Sequence, residues 1–317
     1  MKKILLFCIL AIACLMGWGQ QEPLFSQYQS NLFLINPAKA GQDEIHTIRL
    51  NYRQQWTRAI QGPQTMIASY HGPVDVKNGV GALVFSDQLG PTQRTGLQLG
   101  YAYHLPVGYE GPQGQHKLSM GFAVKMMQYR LALEQIYLPN RNDPAFSQAA
   151  ASYFTGDLSF GMIFSNDYFF AGFSVPNMIQ RGFRTPQLQE AGVLSRLYRH
   201  YFALVGYRFV YDQMTIEPSV LVRKIESTPY QIEGNVKFYL AENKLIAGMS
   251  FRTSWMATFM VGLQMGNMQV LYSADFMSSS DRVTQQFGPS HEISIGWNLG
   301  EAKVPWRKQY YRDGGER

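Results

Sequence analysis

The chain has 317 residues, of which 46% are hydrophobic, 14% aromatic and only 16% charged. A typical soluble domain has about 25% charged residues, so this chain has few charges for a protein that water surrounds on all sides. Its mean hydropathy of −0.19 is nevertheless too polar for a bundle of membrane helices. Abundant Gly, Tyr and Phe together with scarce charge exclude disorder, collagen and coiled coil, and they are compatible with a transmembrane β-barrel.

The first segment, residues 1–19, is predicted to be a signal peptide for export through the Sec pathway. Two lysines precede an apolar run from Ile4 to Met16, and Gly17-Trp18-Gly19 follows. A basic start, a short apolar centre and small residues are typical of such a peptide, and the run is too short for a membrane helix of about 20 residues. We place cleavage after Gly19. The alternative is lipoprotein processing at Cys14.

Both cysteines of the chain, Cys8 and Cys14, lie within this segment. The mature chain is therefore expected to have no disulfide and no cysteine metal site, which suits a protein of the Gram-negative envelope. Removing Lys2 and Lys3 lowers the net charge from +6 to +4, and the sequence has no run of five like charges. The small positive net charge therefore does not indicate nucleic acid as a partner.

Alternation of apolar and polar residues dominates the rest of the chain. Leu97, Leu99 and Tyr101 fall on one face, and Gln98 and Gly100 fall on the other. This period of two predicts a strand with two unlike faces. About fourteen such segments follow one another: 45–57, 64–72, 78–87, 94–106, 116–128, 155–164, 168–175, 196–211, 214–225, 229–240, 244–253, 256–265, 268–278 and 290–299.

The connections between these segments alternate in length. The even-to-odd links are mostly tiny, whereas the odd-to-even links include two long ones, roughly 129–154 and 176–195, and a medium one near 279–289. Bacterial outer-membrane barrels have short periplasmic turns and longer extracellular loops, so the pattern predicts an even number of strands with both termini in the periplasm. A turn of medium length near 107–115, on the side of the short turns, is an exception.

A soluble β-sandwich or a lipocalin-like barrel is the alternative for the same strands. Such a protein would need charges on its polar faces, but these faces are mostly Gly, Ala, Ser, Thr and Gln. In a membrane barrel the apolar rows face lipid and the polar rows face the lumen. We therefore predict an all-β fold, a single antiparallel transmembrane β-barrel of about 14 strands over residues 45–299 in the outer membrane. Residues 20–44 and 300–317 would be a periplasmic N-terminal segment and a periplasmic C-terminal tail.

Nine charged residues on the polar faces are predicted to form a network in the lumen: Lys125, Asp157, Glu217, Arg223, Glu233, Lys237, Arg252, Asp275 and Glu292. One interpretation is a selective polar channel. The other is a structural lattice of salt bridges and hydrogen bonds, because buried charges are costly unless they are paired and the nearly even signs allow pairing.

No catalytic, cofactor or metal motif is apparent in the sequence. Ser290, His291 and Glu292 are adjacent, but neighbours on a strand point to opposite faces. The six histidines show no metal-binding spacing such as HExxH. We therefore expect no enzymatic activity and no cofactor. Lipid hydrolysis, which a few outer-membrane barrels perform, is the remaining enzymatic alternative.

A set of short motifs, in order along almost the whole mature chain, resembles the PorP/SprF family of the Bacteroidetes type IX secretion system. The motifs are Phe25-Ser26-Gln27-Tyr28, Asn36-Pro37-Ala38-Lys39-Ala40-Gly41, Arg53-Gln54-Gln55-Trp56, Asp87-Gln88-Leu89-Gly90-Pro91, Tyr101-Ala102-Tyr103, Asp143-Pro144-Ala145-Phe146, Pro218-Ser219-Val220-Leu221 and Ser290-His291-Glu292-Ile293. Each short motif is weak evidence for the family by itself, but the ordered set is specific. One departure is Ala274, where the family usually has a second aromatic residue.

The resemblance implies an outer-membrane barrel that supports secretion, or the surface attachment of adhesins in gliding bacteria. It implies three partners: outer-membrane lipid, periplasmic ring and motor components of the secretion system, and secreted cargo with a C-terminal sorting domain. The alternative from the residues alone is a porin or a transporter of small hydrophobic solutes.

Two segments outside the strands are candidate docking sites for partners. They contain Phe25, Ser26, Gln27, Tyr28, Asn36 and Pro37 near the mature N-terminus, and Trp306 and Tyr310 in the C-terminal tail. The N-terminal motif either contacts periplasmic partners, plugs the barrel, or latches onto the barrel base with Asn36-Pro37 beginning a turn. The aromatic, basic tail is either a docking peptide or a disordered end.

Overall fold

The computed structural model describes residues 25–111, 114–132, 152–179, 198–226, 228–253, 255–277 and 286–300. Its strands, in chain order, are β1 (His46–Gln54), β2 (Gln64–Pro73), β3 (Asn78–Leu89), β4 (Thr92–Gly111), β5 (Gly114–Leu131), β6 (Ser152–Ser165), β7 (Phe169–Val175), β8 (His200–Tyr207), β9 (Phe209–Val210), β10 (Met214–Ile225), β11 (Gln231–Leu240), β12 (Leu245–Arg252), β13 (Met256–Met265), β14 (Met268–Met277) and β15 (Ser290–Leu299). The signal peptide and the C-terminal tail, with Trp306 and Tyr310, lie outside the described residues.

The strands close into one antiparallel barrel. Apart from β8 and β9, each strand pairs with its neighbour in the chain, and β1 also pairs with β15, with His46 opposite Leu299. Strands β8 and β9 both pair with β10 and are interrupted only at Arg208, so they form one strand of the wall. The described ranges therefore hold a closed barrel of fourteen strands, as the alternation predicted.

The two faces of the wall differ in the way that the alternation predicted. Leu99 and Phe122 point outward with exposed fractions of 50% and 61%, whereas Ala102 and Ser119 are fully buried in the interior. An outward apolar band and a polar interior are the arrangement of a membrane-spanning barrel. In β13 both faces are apolar because the inward Met260 packs with Ile246 and Leu271 from neighbouring strands.

The two ends of the barrel carry different connections. We call one end the short-turn rim; its connections are 74–77, 112–113, 166–168, 211–213, 241–244 and 266–267. The opposite end, the long-loop rim, includes the connections 132–151, 176–199 and 278–289. The predicted medium turn near 107–115 was wrong in its length, because β4 and β5 continue as a hairpin with Gly111 opposite Gly114 and a register shift after Val107.

Hydrogen bonds fix the backbone of the β2–β3 turn at the short-turn rim. Asp75 accepts hydrogen bonds from the Asn78 side chain and from the backbone N–H groups of Lys77 and Asn78, the latter two at 2.7 and 2.8 Å. These bonds, chiefly that from the Asn78 side chain, hold the pKa of the Asp75 carboxyl below its usual value.

The segment before β1 folds into three short 3-10 helices, Tyr28–Ser30, Leu32–Leu34 and Pro37–Lys39. The Asn36 side chain accepts a hydrogen bond from the backbone N–H of Ala38 and so caps the third helix, whose first residue is Pro37. No helix among the described residues is long and apolar enough to cross a membrane.

Candidate functional site: a plugged lumen and an adjoining chamber

Residues 25–45, which we call the plug, lie inside the barrel. At the short-turn rim, the Gln42 amide donates to Ser165 Oγ at 2.9 Å. Near the long-loop rim, the Ser26 hydroxyl donates to Asp275 Oδ1 at 2.7 Å. The plug therefore runs along the lumen from the short-turn rim to the half of the barrel nearer the long-loop rim.

Glycines in the wall make room for the plug. A Cβ on Gly81 would lie 2.4 Å from the Phe33 ring, and a Cβ on Gly121 would lie 2.4 Å from the backbone N of Ala38. On Gly161, a Cβ would lie 2.0 Å from Asn36 Oδ1. Real Cβ atoms do not approach so closely, so these strands need glycine where the backbone or a side chain of the plug approaches. Phe33 is completely buried as a result.

We expect Gly121→Val to loosen the plug, because its side chain would overlap the backbone of residues 37 and 38 and no change of rotamer would relieve the overlap. Overpacking costs about 1–3 kcal/mol, and about 1.4 kcal/mol changes an equilibrium tenfold. Limited trypsin digestion should therefore cut after Lys39 about tenfold faster. Gly156→Val is the control, because the nearest atom to a Cβ there is 3.4 Å away. Equal cleavage rates in both variants would contradict a tight fit.

Polar contacts fix the plug at several heights. The Asn36 amide donates to the backbone carbonyls of Met162 and Phe173, both at 3.1 Å. The Asn31 amide donates to Ser69 Oγ at 2.8 Å. Each contact joins the plug to a different part of the wall, so the plug has one defined position.

A buried charge cluster joins the first residues of the plug to four strands, β1, β13, β14 and β15. Arg53 is 1% exposed, and its Nη2 lies 2.5 Å from Asp275 Oδ2 while its Nη1 lies 3.2 Å from Glu292 Oε2. The backbone N–H of Ser26 donates to Glu292 Oε2 at 2.8 Å. Thr258 donates to Asp275 Oδ1 at 2.8 Å. One guanidinium thus serves two carboxylates, and hydrogen-bond donors from the plug and the wall complete their environment.

Further ion pairs join neighbouring strands on the interior face of the wall. Glu217 lies 3.0 Å from Lys237 Nζ and 2.7 Å from Arg208 Nε. Glu233 Oε2 accepts from Arg252 Nε at 2.7 Å. These pairs offset part of the cost of burying the charges.

The remaining predicted lumen residues also point inward. Arg223 donates to the Gln231 side chain. Asp157 lies opposite Lys125 in the β5–β6 ladder, and Lys125 Nζ is 3.3 Å from Asn177 Oδ1. Eight of the nine residues are buried and Lys125 is half-buried.

The sequence-based network lacked its central cation. Arg53 joins Asp275 to Glu292, yet it was noted only as part of a family motif. The alternation of β1 would have found it, because Arg49, Asn51 and Arg53 share the face opposite Leu50 and Tyr52.

The N-terminal docking candidates lie within the barrel. Ser26, Gln27, Tyr28, Asn36 and Pro37 are buried and Phe25 is half-buried. Of the three interpretations of this segment, the plug is the one that its position matches. A partner at the short-turn rim could reach these side chains only if the plug left the lumen, whereas Phe25, Tyr28 and Pro37 also line an interior chamber.

A chamber of about 470 Å³ lies between the plug and the long-loop rim. Its floor includes Phe25 and Leu34 of the plug, and its walls include Phe85 and Phe202. It extends up to Tyr230 in the β10–β11 connection. Since barrel interiors are ordinarily polar, the apolar side chains of this lining distinguish the chamber from an ordinary lumen.

The described residues contain no group suited to a metal ion, and they do not bring Ser290 and His291 together. No group of three possible metal-ligating side chains occurs within them. Ser290 is buried, whereas His291 contacts the Tyr272 hydroxyl at 2.6 Å on the outer face. These two side chains point to opposite faces, as expected for neighbours on a strand.

Three comparisons relate the chain to known proteins. A family profile described as "Type IX secretion system membrane protein PorP/SprF" matches residues 18–297. No curated protein sequence matches the chain. Among solved structures, the toluene transporter TodX of P. putida shares 10% identity over 86% of this chain and 94% of its own, with a TM-score of 0.46.

Two further solved structures show a similar likeness. A FadL homologue of Pseudomonas aeruginosa shares 9% identity over 80% of this chain and 90% of its own, with a TM-score of 0.42. The KdgM porin shares 10% identity over 80% of this chain and 99% of its own, with a TM-score of 0.36. At identities this low the likeness concerns the fold alone.

Proposed function

The chain belongs to the PorP/SprF family of type IX secretion system membrane proteins, and from this we propose that it is a plugged accessory barrel that supports the secretion or surface anchoring of cargo proteins. The family and the barrel fold place it in the outer membrane.

The plug is the observation that carries this proposal. A diffusion porin needs a water-filled lumen, whereas other barrels are plugged by their own segments. Here Phe33 is fully buried in the interior, and the Arg53 cluster binds Ser26 on the plug. A barrel closed in this way is better suited to holding a protein at its rims than to passing solutes.

The two rims suggest where the partners bind. Short periplasmic turns and longer outer loops are usual in outer-membrane barrels, so we assign the short-turn rim to the periplasm. Ring and motor components of the secretion system would bind there. Cargo with a C-terminal sorting domain would bind at the long-loop rim.

Deletion of the protein tests this function in its native bacterium. We expect the loss of one or a few surface or secreted proteins from the cell-surface proteome, while uptake of small hydrophilic antibiotics stays unchanged. Complementation with the full chain should restore the missing proteins. An unchanged surface proteome, or a loss of permeability alone, would contradict the proposal.

A transporter of small hydrophobic solutes is the second candidate, because the chamber is lined by apolar side chains such as Phe85, Met127 and Phe202. Deletion of the protein would then slow the uptake of a labelled hydrophobic solute by whole cells. We expect uptake to be unchanged, since the plug lies between the chamber and the short-turn rim.

A further inference from the structure

We propose that the chamber is occupied by the amino-terminal segment of the mature chain itself, residues 20–24. With the predicted cleavage after Gly19, the segment Gln20-Gln21-Glu22-Pro23-Leu24 precedes the plug. It would extend the plug into the chamber and place the free amino end toward the long-loop rim. This inference concerns the closure of the barrel and does not rest on the proposed function.

Phe25, the first residue that the structure describes, already lies in the chamber. Its ring packs against two apolar clusters of the interior, one around Phe33 and Leu83 and the other around Phe202 and Leu221. Consecutive Cα atoms are about 3.8 Å apart, so the residue before Phe25 must lie beside this lining.

The direction of the plug also leads the segment into the chamber. Ser26 is held near the long-loop rim by Glu292 and Asp275, whereas Gln42 contacts Ser165 at the short-turn rim. The chain therefore enters the plug from the chamber side and leaves it where β1 begins.

A path for the segment back along the plug would overlap packed atoms. Phe33, Ala38 and Ala40 have no exposed surface, and even a Cβ added to Gly81 of the wall would overlap the plug. A second stretch of chain beside these residues would meet the same atoms. The chamber, with about 470 Å³, offers open space next to Phe25.

The order of residues in the segment matches the depth of the chamber. The two residues next to the plug, Pro23 and Leu24, are apolar, and the floor of the chamber includes Leu34. Burial of their side chains away from water favours this placement. The three residues before them are polar, and the lining near the long-loop rim includes Thr228 and Thr253. Apolar side chains thus meet the apolar floor, and polar ones meet the open mouth.

Thiol labelling of the purified barrel tests occupancy. Both cysteines lie within residues 1–19, so Leu221→Cys places a single thiol in the chamber wall of the mature chain. We expect it to react with a small maleimide at least tenfold faster when residues 20–24 are deleted than in the complete mature chain. Ile60→Cys is the control, because Ile60 is 97% exposed in the β1–β2 connection and should react equally in both. Mass spectrometry verifies cleavage after Gly19, and the mobility shift on unheated gels verifies folding.

Equal reaction of Leu221→Cys in both chains would overturn the inference. Equally slow reaction would mean that another molecule or another part of the chain covers the thiol. Equally fast reaction would mean that the segment lies outside the chamber.

Crosslinking provides a second test, which needs no deletion. Tyr230 lies at the mouth of the chamber and Val76 in the β2–β3 connection of the short-turn rim, and their exposed fractions are 66% and 76%. A short bismaleimide should join Gln21→Cys to Tyr230→Cys and not to Val76→Cys. Failure to crosslink with Tyr230→Cys, or a crosslink to Val76→Cys, would overturn the inference and leave the proposed function standing.

Discussion

A chain that lacks residues 25–44 is expected to conduct ions as an open pore, whereas the complete chain is expected not to conduct. The wall should survive this deletion, because β1 to β15 pair with each other and close the barrel without hydrogen bonds from the plug. The loss would empty the space beside Gly81, Gly121 and Gly161, which the plug now fills. The segment that now fills this part of the lumen would then be gone.

Planar lipid bilayers measure this directly. The deleted chain should give stable conductance steps, while the complete chain should give none under the same voltage. Folding of both is checked by their shift in mobility on unheated gels. Steady conductance from the complete chain, equal to that of the deleted one, would contradict closure by the plug.

Arg53→Met is expected to have the largest effect on stability of any single substitution in the interior. It removes the one guanidinium between Asp275 and Glu292 and leaves both carboxylates buried without it. Breaking a buried pair in this way costs about 3–5 kcal/mol, because a charge stays buried without compensation. The Ser26 and Thr258 hydrogen bonds cannot replace the lost positive charge.

Guanidinium unfolding of the barrel in detergent, followed by tryptophan fluorescence, measures the loss. Lys244→Met is the control, because Lys244 pairs with Glu242 at the surface, where both side chains are more than 70% exposed. Exposed pairs contribute about 0–1 kcal/mol. A similar midpoint for both variants would show that the Arg53 cluster does not hold the barrel and plug together.

The strands and their faces could be predicted because each strand has its own alternation of apolar and polar residues. In β15 the outward Ile293 and the inward Glu292 and Ser294 alternate without interruption. A lipid-facing row must be apolar and a lumen-facing row tolerates polar residues, so burial and sequence period agree in nearly every strand. The length of the β4–β5 turn was mispredicted because its glycines are typical of a loop. Two of them, Gly108 and Gly114, have positive φ within the hairpin.

The position of the plug could not be predicted from such an alternation. Its three 3-10 helices have neither the period of a strand nor that of an α-helix. Its partners are also remote in sequence: Ser26 contacts a residue 249 positions away and Asn36 one that is 137 positions away. The chamber is a product of this placement, since Leu34 and Ile35 form its floor only when the plug is inside the barrel.

Oxidative crosslinking in intact outer membranes tests most directly whether the plug occupies the lumen. Asn31 and Ser69 are both buried, and their side chains are joined by a hydrogen bond of 2.8 Å at mid-height of the barrel. The pair Asn31→Cys and Ser69→Cys should form an intramolecular disulfide, whereas Asn31→Cys with Ala68→Cys, which faces outward, should form none. Absence of a disulfide in the first pair, with a folded barrel and both thiols reactive toward a water-soluble reagent, would contradict a plugged lumen.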